Sequence, residues 1–196
     1  MKFKNIRFLK SCTAKDQFPD YPYPEFAFIG RSNVGKSSLI NMLLGQKNLV
    51  KTGSKPGVTK TINFFVIDDN MSFTDLPGFG YAKLPMEIKK TFYPLIKSYI
   101  SSRKNLKLAF LLIDIRRTPD EYEKDILTML VKKEIYVAIA LTKCDKVTRG
   151  KKIESGKNIC EFLGIDSESV FFTSSKTSEG KRELLGLVSQ YRSNRQ

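Results

Sequence analysis

The segment Gly30–Ser37 has the pattern G-x-x-x-x-G-K-S, which is typical of loops that bind phosphate groups. Its glycines let successive backbone N–H groups point at phosphate oxygens, and the Lys36 ammonium adds a positive charge. The hydroxyl of Ser37 is a hard oxygen ligand of the kind that Mg²⁺ prefers. The segment therefore predicts a site for a nucleotide triphosphate, bound by Gly30, Arg31, Ser32, Asn33, Val34, Gly35, Lys36, Ser37 and Ser38.

A D-x-x-G motif lies downstream, at the end of a predicted strand. Its aspartate can hold Mg²⁺ through a water, and its glycine N–H can face the terminal phosphate, so the segment would respond to the presence of that phosphate. Alone, this motif is more often a simple turn after a strand, and its weight comes from its place behind the phosphate loop. The predicted binding residues are Asp75, Leu76, Pro77 and Gly78.

The polar segment 46–60 lies between these two motifs and contains Thr59. A threonine in such a loop can give its hydroxyl to Mg²⁺ and its backbone N–H to the terminal phosphate, and Thr61 is the alternative choice. Binding is predicted for Gly57, Val58, Thr59, Lys60 and Thr61. Across the motifs, catalytic roles are predicted for Lys36, Thr59 and Gly78, and metal ligation for Ser37, Thr59 and Asp75.

Two further segments, each after a predicted strand, are candidates for recognition of the base. Asp145 can accept two hydrogen bonds from guanine, through N1–H and the exocyclic amine, and adenine offers no such pair. A site built on this acceptor rejects adenine by roughly 10⁴-fold or more. A Ser/Thr loop can offer a backbone N–H to guanine O6. The predicted residues are Thr142, Lys143, Cys144, Asp145, Thr173, Ser174, Ser175 and Lys176.

Strands and helices that alternate along the chain must position these motifs. Strands are predicted at 25–29, 61–67, 71–74, 107–114, 135–141 and 169–173, and four helices at 37–44, 87–99, 151–163 and 179–191. A further helix, the third along the chain, is predicted to begin at a capping box with Thr118 as the N-cap and to end at about residue 132. This order, together with the phosphate loop, predicts a three-layer α/β fold of the P-loop NTPase type. Its sheet would be mostly parallel, with one antiparallel hairpin strand. Residues 1–23 form an N-terminal extension with a possible edge strand, and 24–196 the single domain.

Composition narrows the chemistry further. The chain has no histidine, which excludes Ser-His-Asp, Cys-His and His-metal sites. Three distant cysteines favour reduced thiols and a cytoplasmic location, and no apolar run is long enough to insert into a membrane. The net charge of +14 favours a polyanionic partner, RNA before membrane. Because the basic residues come as scattered pairs, any RNA is expected to bind a folded face.

The motifs resemble those of the Era-like GTPases, and most closely the EngB family. The resemblance covers almost the whole chain and is carried by Gly30–Leu39, by Lys55–Thr59 with Ile62–Phe65, and by Asp75–Ala82. It implies a Ras-like G domain, Mg²⁺-dependent GTP and GDP binding, a role in assembly of the large ribosomal subunit, and a requirement for cell division and septation. Thr118 departs from the glycine usual in the family, and the segment Ser174–Lys176 keeps its motif only loosely.

The residue after D-x-x-G is Phe79, where Ras-type enzymes have a glutamine that orients the attacking water. Hydrolysis by the isolated chain is therefore expected to be slow. Ribosomal RNA or a large-subunit precursor is expected to stimulate it. Asn33 either helps to place a K⁺ ion against the phosphates or stabilises its loop. Phe79, Tyr81 and Lys83 either contact the partner or pack their own loop. We expect a monomer. The alternatives to a GTPase switch are a binding module with negligible hydrolysis, a P-loop ATPase or kinase, and a septum-associated scaffold.

Overall fold

The computed structural model describes residues 3–50, 61–80 and 86–193, and for 86–92 only the backbone. Within these ranges seven strands and five α-helices follow one another along the chain. Their bounds are β1 Ile6–Cys12, β2 Glu25–Gly30, α1 Lys36–Leu44, β3 Ile62–Ile67, β4 Met71–Asp75, α2 Met86–Ser102, β5 Leu106–Asp114, α3 Glu121–Val131, β6 Tyr136–Thr142, α4 Arg149–Leu163, β7 Val170–Phe172 and α5 Lys181–Ser193.

All seven strands belong to one sheet, in the order β1-β3-β4-β2-β5-β6-β7. The pairs β1–β3 and β3–β4 are antiparallel, and the remaining neighbours are parallel. The predicted mostly parallel sheet with an antiparallel hairpin strand is confirmed. The N-terminal strand lies at the edge of this same sheet, where it pairs with β3.

The helices cover both faces of the sheet and make two hydrophobic cores. Alternate residues of β5 explain this arrangement, since Leu108, Phe110 and Leu112 face α1 and α5. Ala109, Leu111 and Ile113 face α2, α3 and α4 instead. A continuous apolar run is what a strand buried on both faces requires, and it gives the three-layer fold. Among the described residues, no helix combines the length and apolarity needed to cross a membrane.

The start of α3 corrects one sequence prediction. The N-cap is Asp120, not Thr118, and the carboxylate of Asp120 accepts a hydrogen bond from the Tyr122 N–H at 3.0 Å. Glu123 completes the capping box, because its Oε2 accepts from the Asp120 N–H at 3.1 Å. Both Thr118 and Asp120 precede a glutamate by three residues, and aspartate caps a helix at least as well as threonine does. The sequence pattern alone does not separate these two positions.

Candidate nucleotide-binding site

The segments predicted to bind the nucleotide follow the carboxyl ends of β2, β4, β6 and β7. These strands are neighbours or near neighbours in one sheet, so their ends lie along a single edge. Open α/β sheets bind their ligands at this edge. The fold therefore brings together segments that are more than a hundred residues apart in the chain.

Close packing and unusual backbone angles shape the phosphate loop. A Cβ on Gly30 would lie 2.9 Å from the Leu112 carbonyl oxygen, so only glycine lets the loop start this close to β5. Asn33 has a φ of 63° and Gly35 a φ of 108°, both left-handed conformations. Asparagine tolerates this region better than most residues, which gives Asn33 a role in loop geometry. Gly35 is the N-cap of α1, so the helix N-terminus opens onto the loop.

The charged end of the site joins the phosphate loop to β4. The Lys36 ammonium forms an ion pair with Asp75, which is 3% exposed at the end of β4. Ser37 is the next residue, in the first turn of α1. Among the residues that the structure describes, no group of three or more His, Cys, Asp or Glu side chains is arranged to hold a metal ion by itself. One carboxylate and one hydroxyl suit Mg²⁺, which usually keeps waters and phosphate oxygens as its other ligands.

The D-x-x-G segment lies directly against the phosphate loop. The Ser32 N–H donates to the Phe79 carbonyl at 2.9 Å, and the Phe79 N–H donates to the Gly30 carbonyl at 3.4 Å. A Cβ on Gly78 would lie 2.9 Å from the Ser32 Cα, so this approach requires glycine. Leu76 is fully buried in the core and so binds no ligand with its side chain. It anchors the segment, and Gly78 is the part that reaches the loop.

Side chains at the end of β6 and directly after it contact the other side of the phosphate loop. The Thr142 hydroxyl donates to the Val34 carbonyl at 2.6 Å, and the Lys143 ammonium donates to the Asn33 carbonyl at 2.7 Å. Cys144 points the other way: its thiol is buried, and burial raises its pKa to about 11. Thr142 and Lys143 therefore connect the predicted base-binding motif to the phosphate loop.

The predicted base-reading carboxylate is oriented by the loop after β7. The Ser174 hydroxyl, itself fully buried, donates to Asp145 Oδ1 at 2.7 Å and lowers the pKa of that carboxyl below its usual range. The Cys144 N–H donates to the Thr173 carbonyl at 3.1 Å, which fixes the two loops side by side. Ser175 and Lys176 are exposed beside them. An ionised, oriented carboxylate is the acceptor that guanine recognition needs.

Similarity to known proteins agrees with a nucleotide-binding site at this edge of the sheet. Residues 25–143 match a protein-family model described as 50S ribosome-binding GTPase. A probable GTP-binding protein EngB of Geobacter sp. (strain M21) is 44% identical over 92% of this chain and 85% of its own length. The chain belongs to the EngB family of GTP-binding proteins.

One solved structure supports both the EngB-family assignment and the fold, and a second supports the fold. A crystal structure of a probable GTP-binding protein engB has a TM-score of 0.72 and 27% identity, and the match covers 87% of this chain and 100% of the other. A structure of Era with MgGDPNP and nucleotides 1506–1542 of 16S ribosomal RNA has a TM-score of 0.64 and 20% identity. That match covers 86% of this chain and 56% of Era, and at this identity it shows the fold alone.

Part of the predicted EngB-type site lies outside the described residues, namely Gly57, Val58, Thr59 and Lys60, together with the two candidate partner contacts Tyr81 and Lys83. The alternative threonine, Thr61, is described, and its hydroxyl lies 3.2 Å from Asn63 Oδ1. Phe79 is 4% exposed and packs in the core beneath α3, which favours the packing role over direct partner contact.

Sequence reasoning missed one residue that shapes this site. Asp114, the last residue of β5, accepts hydrogen bonds from Arg116 and lies 3.0 Å from the Lys143 ammonium. Burial acts to raise the pKa of Asp114, but the hydrogen bonds from Arg116 and Lys143 outweigh it and hold the pKa at about 2. The rule that placed the other motifs at strand ends would also have found an acidic residue at the end of β5.

Proposed function

We propose that this chain is a Mg²⁺-dependent GTP switch that acts in the assembly of the large ribosomal subunit. The observation that carries the proposal is one connected set of contacts around the phosphate loop. Asp75 approaches Lys36 from one side, and Lys143 approaches the Asn33 carbonyl from the other. A triphosphate, its metal and a guanine base would therefore all meet residues of a single rigid frame.

Each group of the frame has a defined task when GTP is bound. Lys36 exchanges the Asp75 carboxylate for phosphate oxygens, which leaves Asp75 and the Ser37 hydroxyl for the metal. Mg²⁺ supplies neutralisation of the charge on the phosphate oxygens. Gly78, already against Ser32, turns its backbone toward the terminal phosphate. Thr59, or Thr61 in its place, completes the set in this proposal.

Hydrolysis by the isolated chain is expected to be slow. Phe79 is the residue directly after the D-x-x-G motif, and its buried ring has no group that can orient the attacking water. The missing function must come from outside the chain, either from the ribosomal partner or from K⁺ placed by the exposed Asn33. An external contribution of this kind raises rates by about 10³–10⁵-fold in other GTPases.

A basic rim surrounds the nucleotide edge and fits a ribosomal RNA partner. It consists of exposed residues in the loops after β5, β6 and β7 and at the start of α4: Arg116, Arg117, Lys146, Arg149 and Lys176. Such a patch beside a switch site gives a polyanion contact whose shape changes with the nucleotide. The description of the matching family model, a 50S ribosome-binding GTPase, favours the large subunit as the source of that RNA. A monomer in the cytoplasm, needed for cell division and septation, completes the proposal.

Co-sedimentation with large-subunit precursors tests the proposal. We expect more binding with a non-hydrolysable GTP analogue than with GDP. The double variant Arg117→Glu/Arg149→Glu should lose binding, while Lys132→Glu/Lys133→Glu, with the same charge change at the far end of α3, should keep it. Equal sedimentation in both nucleotides, or equal losses in both variants, would contradict a nucleotide-dependent RNA contact through this rim.

Hydrolysis and specificity need separate measurements. Single-turnover rates should rise when ribosomal particles are added, and a rate in K⁺ equal to that in Na⁺ would remove the K⁺ hypothesis. GTP, but not ATP, should displace bound GDP. Asp145→Asn should shift the preference from guanine toward xanthine nucleotides, because the amide presents a donor where the carboxylate presented an acceptor.

A further inference from the structure

The side chain of Arg31 does not point into the nucleotide site. Although Arg31 is the second residue of the phosphate loop, its guanidinium turns toward α3 and is 15% exposed. Nη1 pairs with the carboxylate of Asp120, which is 89 residues further along the chain. Nη2 donates to the Gly80 carbonyl at 2.7 Å. One side chain thus joins the phosphate loop, the segment after D-x-x-G and the N-terminus of α3.

The backbone around Gly80 is shaped to receive this guanidinium. Gly80 has a φ of 70°, a left-handed conformation that favours glycine. A Cβ at Gly80 would lie 2.4 Å from the Arg31 Cζ, so no larger residue fits while the guanidinium is in place. The Arg31 backbone also forms a parallel bridge with Phe79. The segment 78–80 is therefore held by both the backbone and the side chain of the phosphate loop.

The α3 end of the contact is equally defined. Asp120 is the N-cap of α3, so the carboxylate that meets Arg31 is fixed by the helix that it caps. Glu123, 2% exposed, lies 3.9 Å from the Arg31 Nη1 and closes the far side. Beside them, Phe79 packs against the half-exposed Tyr122 with 6.5 Å between ring centroids. A displacement of Phe79 or Gly80 must therefore change contacts at the surface of α3.

We propose that Arg31 is a positioning residue that holds the segment 78–80 against the phosphate loop and transmits the state of the nucleotide to the N-terminus of α3. Its planar guanidinium is suited to this because it donates to a carbonyl and a carboxylate at once, whereas an ammonium on a flexible stem is not fixed in one orientation. The inference rests on the proposed GTP switch.

The direction of the effect follows from the geometry. The contacts of Arg31 favour the arrangement in which Gly78 lies against Ser32, beside the loop that binds the phosphates. A terminal phosphate needs the segment in that place, and GDP does not. Loss of the guanidinium should therefore weaken binding of a non-hydrolysable GTP analogue about tenfold more than binding of GDP, the size expected for one charge-assisted hydrogen bond.

Three variants and a remote control test the inference. Arg31→Ala removes both contacts, and Arg31→Lys keeps the charge, so its affinity ratio should fall between those of Arg31→Ala and the wild type. Asp120→Asn removes only the charge of the partner, because asparagine caps a helix as well as aspartate does. Arg7→Ala breaks an arginine–aspartate pair of 3.0 Å at the sheet edge and should match the wild type in the affinity ratio.

A fluorescence reporter measures the transmission itself. The chain has no tryptophan, so Tyr122→Trp introduces a single probe beside Phe79. In the Tyr122→Trp background alone, emission should differ between GDP and the GTP analogue. Adding Arg31→Ala or Asp120→Asn should reduce that difference at least about threefold.

The outcomes separate the inference from the function on which it depends. No difference between nucleotides, in either affinity or emission, with Arg31 intact would refute the switch and the role of Arg31 together. A difference that survives Arg31→Ala unchanged would overturn the role of Arg31 and leave the switch standing. Equal weakening of both nucleotides by Arg31→Ala would also overturn it, since Arg31 would then support only the phosphate loop.

Discussion

Replacing Arg103 should lower the free energy of unfolding more than replacing a charged residue at the surface, because it leaves a buried carboxylate without its counter-ion. Glu25, at the start of β2, is completely buried. Its carboxylate accepts from Arg103 Nε at 3.1 Å and Nη2 at 2.7 Å, and from the hydroxyls of Tyr21 and Tyr99. Arg103→Met keeps much of the side-chain volume and removes both charged donors.

The expected loss follows from this burial. Breaking a buried ion pair by removing one partner costs about 3–5 kcal/mol, while an exposed pair contributes about 0–1 kcal/mol. The Arg103 side chain is 10% exposed, so the larger figure applies. With a urea dependence of about 2–3 kcal/mol per M, the unfolding midpoint should fall by about 1–2.5 M.

Urea titrations followed by circular dichroism measure the shift. The control is Arg7→Met, which breaks the exposed pair with Asp69 and should move the midpoint little. The double variant Arg103→Met/Glu25→Gln should recover a large part of the loss, because a neutral amide costs less to bury than an unpaired carboxylate. If Arg103→Met and Arg7→Met shift the midpoint equally, or if the double variant is the least stable, the reasoning about the buried charge is wrong.

Two further predictions concern the nucleotide site, and a third concerns Glu123 at the start of α3. Ser174→Ala should weaken GDP binding about threefold to tenfold by calorimetry, since the base-reading carboxylate loses its orienting hydroxyl, whereas the exposed Ser175→Ala should not. Lys143→Met should weaken binding about tenfold through loss of the 2.7 Å bond to the phosphate loop, with the exposed Lys157→Met on α4 as the control; a change below twofold would contradict this. Burial raises the pKa of Glu123 to about 7, so its contribution is full below the ordinary carboxyl pKa and is lost as pH rises through 7. The melting temperature of the wild type should therefore fall from pH 5 to pH 8 relative to that of Glu123→Gln. Parallel curves of melting temperature against pH would contradict the raised pKa of Glu123.

The sequence was sufficient for the fold because its signals there are local and repeated. The continuous apolar run of β5 and the hairpin between β3 and β4 each specify their own element. Once the strands are predicted, the positions of their carboxyl ends are predicted too. Those ends give the common sheet edge at which Gly30–Ser37 and Thr142–Asp145 lie. The predicted and observed boundaries differ by only a few residues, as with β7, which is predicted at residues 169–173 and lies at Val170–Phe172.

The contacts that join the motifs could not be predicted in the same way. Arg31 and Asp120 are 89 residues apart, and nothing in either local pattern indicates that they meet. Arg31 was predicted among the nucleotide-binding residues, yet its side chain contacts α3. Glu25 is the first residue of a predicted strand, and nothing in its local pattern indicates that Arg103 is its partner. Pairings of this kind depend on tertiary packing, which sequence periodicity does not encode.

Helix α2 connects the two ends of this arrangement. Its C-terminal end is followed at once by Arg103, which is fixed to Glu25 and also donates to the Pro19 carbonyl at 2.8 Å. Its N-terminal end, Met86, is the first helical residue after the segment that Arg31 holds.

Seventeen residues make a helix about 25 Å long, so a tilt of about 10° around the fixed end of α2 moves its other end by about 4 Å. Pro94 inside the helix removes one backbone hydrogen bond and lowers the resistance to bending there. A nucleotide-dependent shift at Gly80 is therefore expected to move the first half of α2 and leave its last turn in place. Tyr93 of α2 packs against Tyr122 with 5.9 Å between ring centroids, so motion of α2 reaches the probe position. Because Arg103→Met releases the last turn of α2, it should also reduce the Tyr122→Trp emission difference.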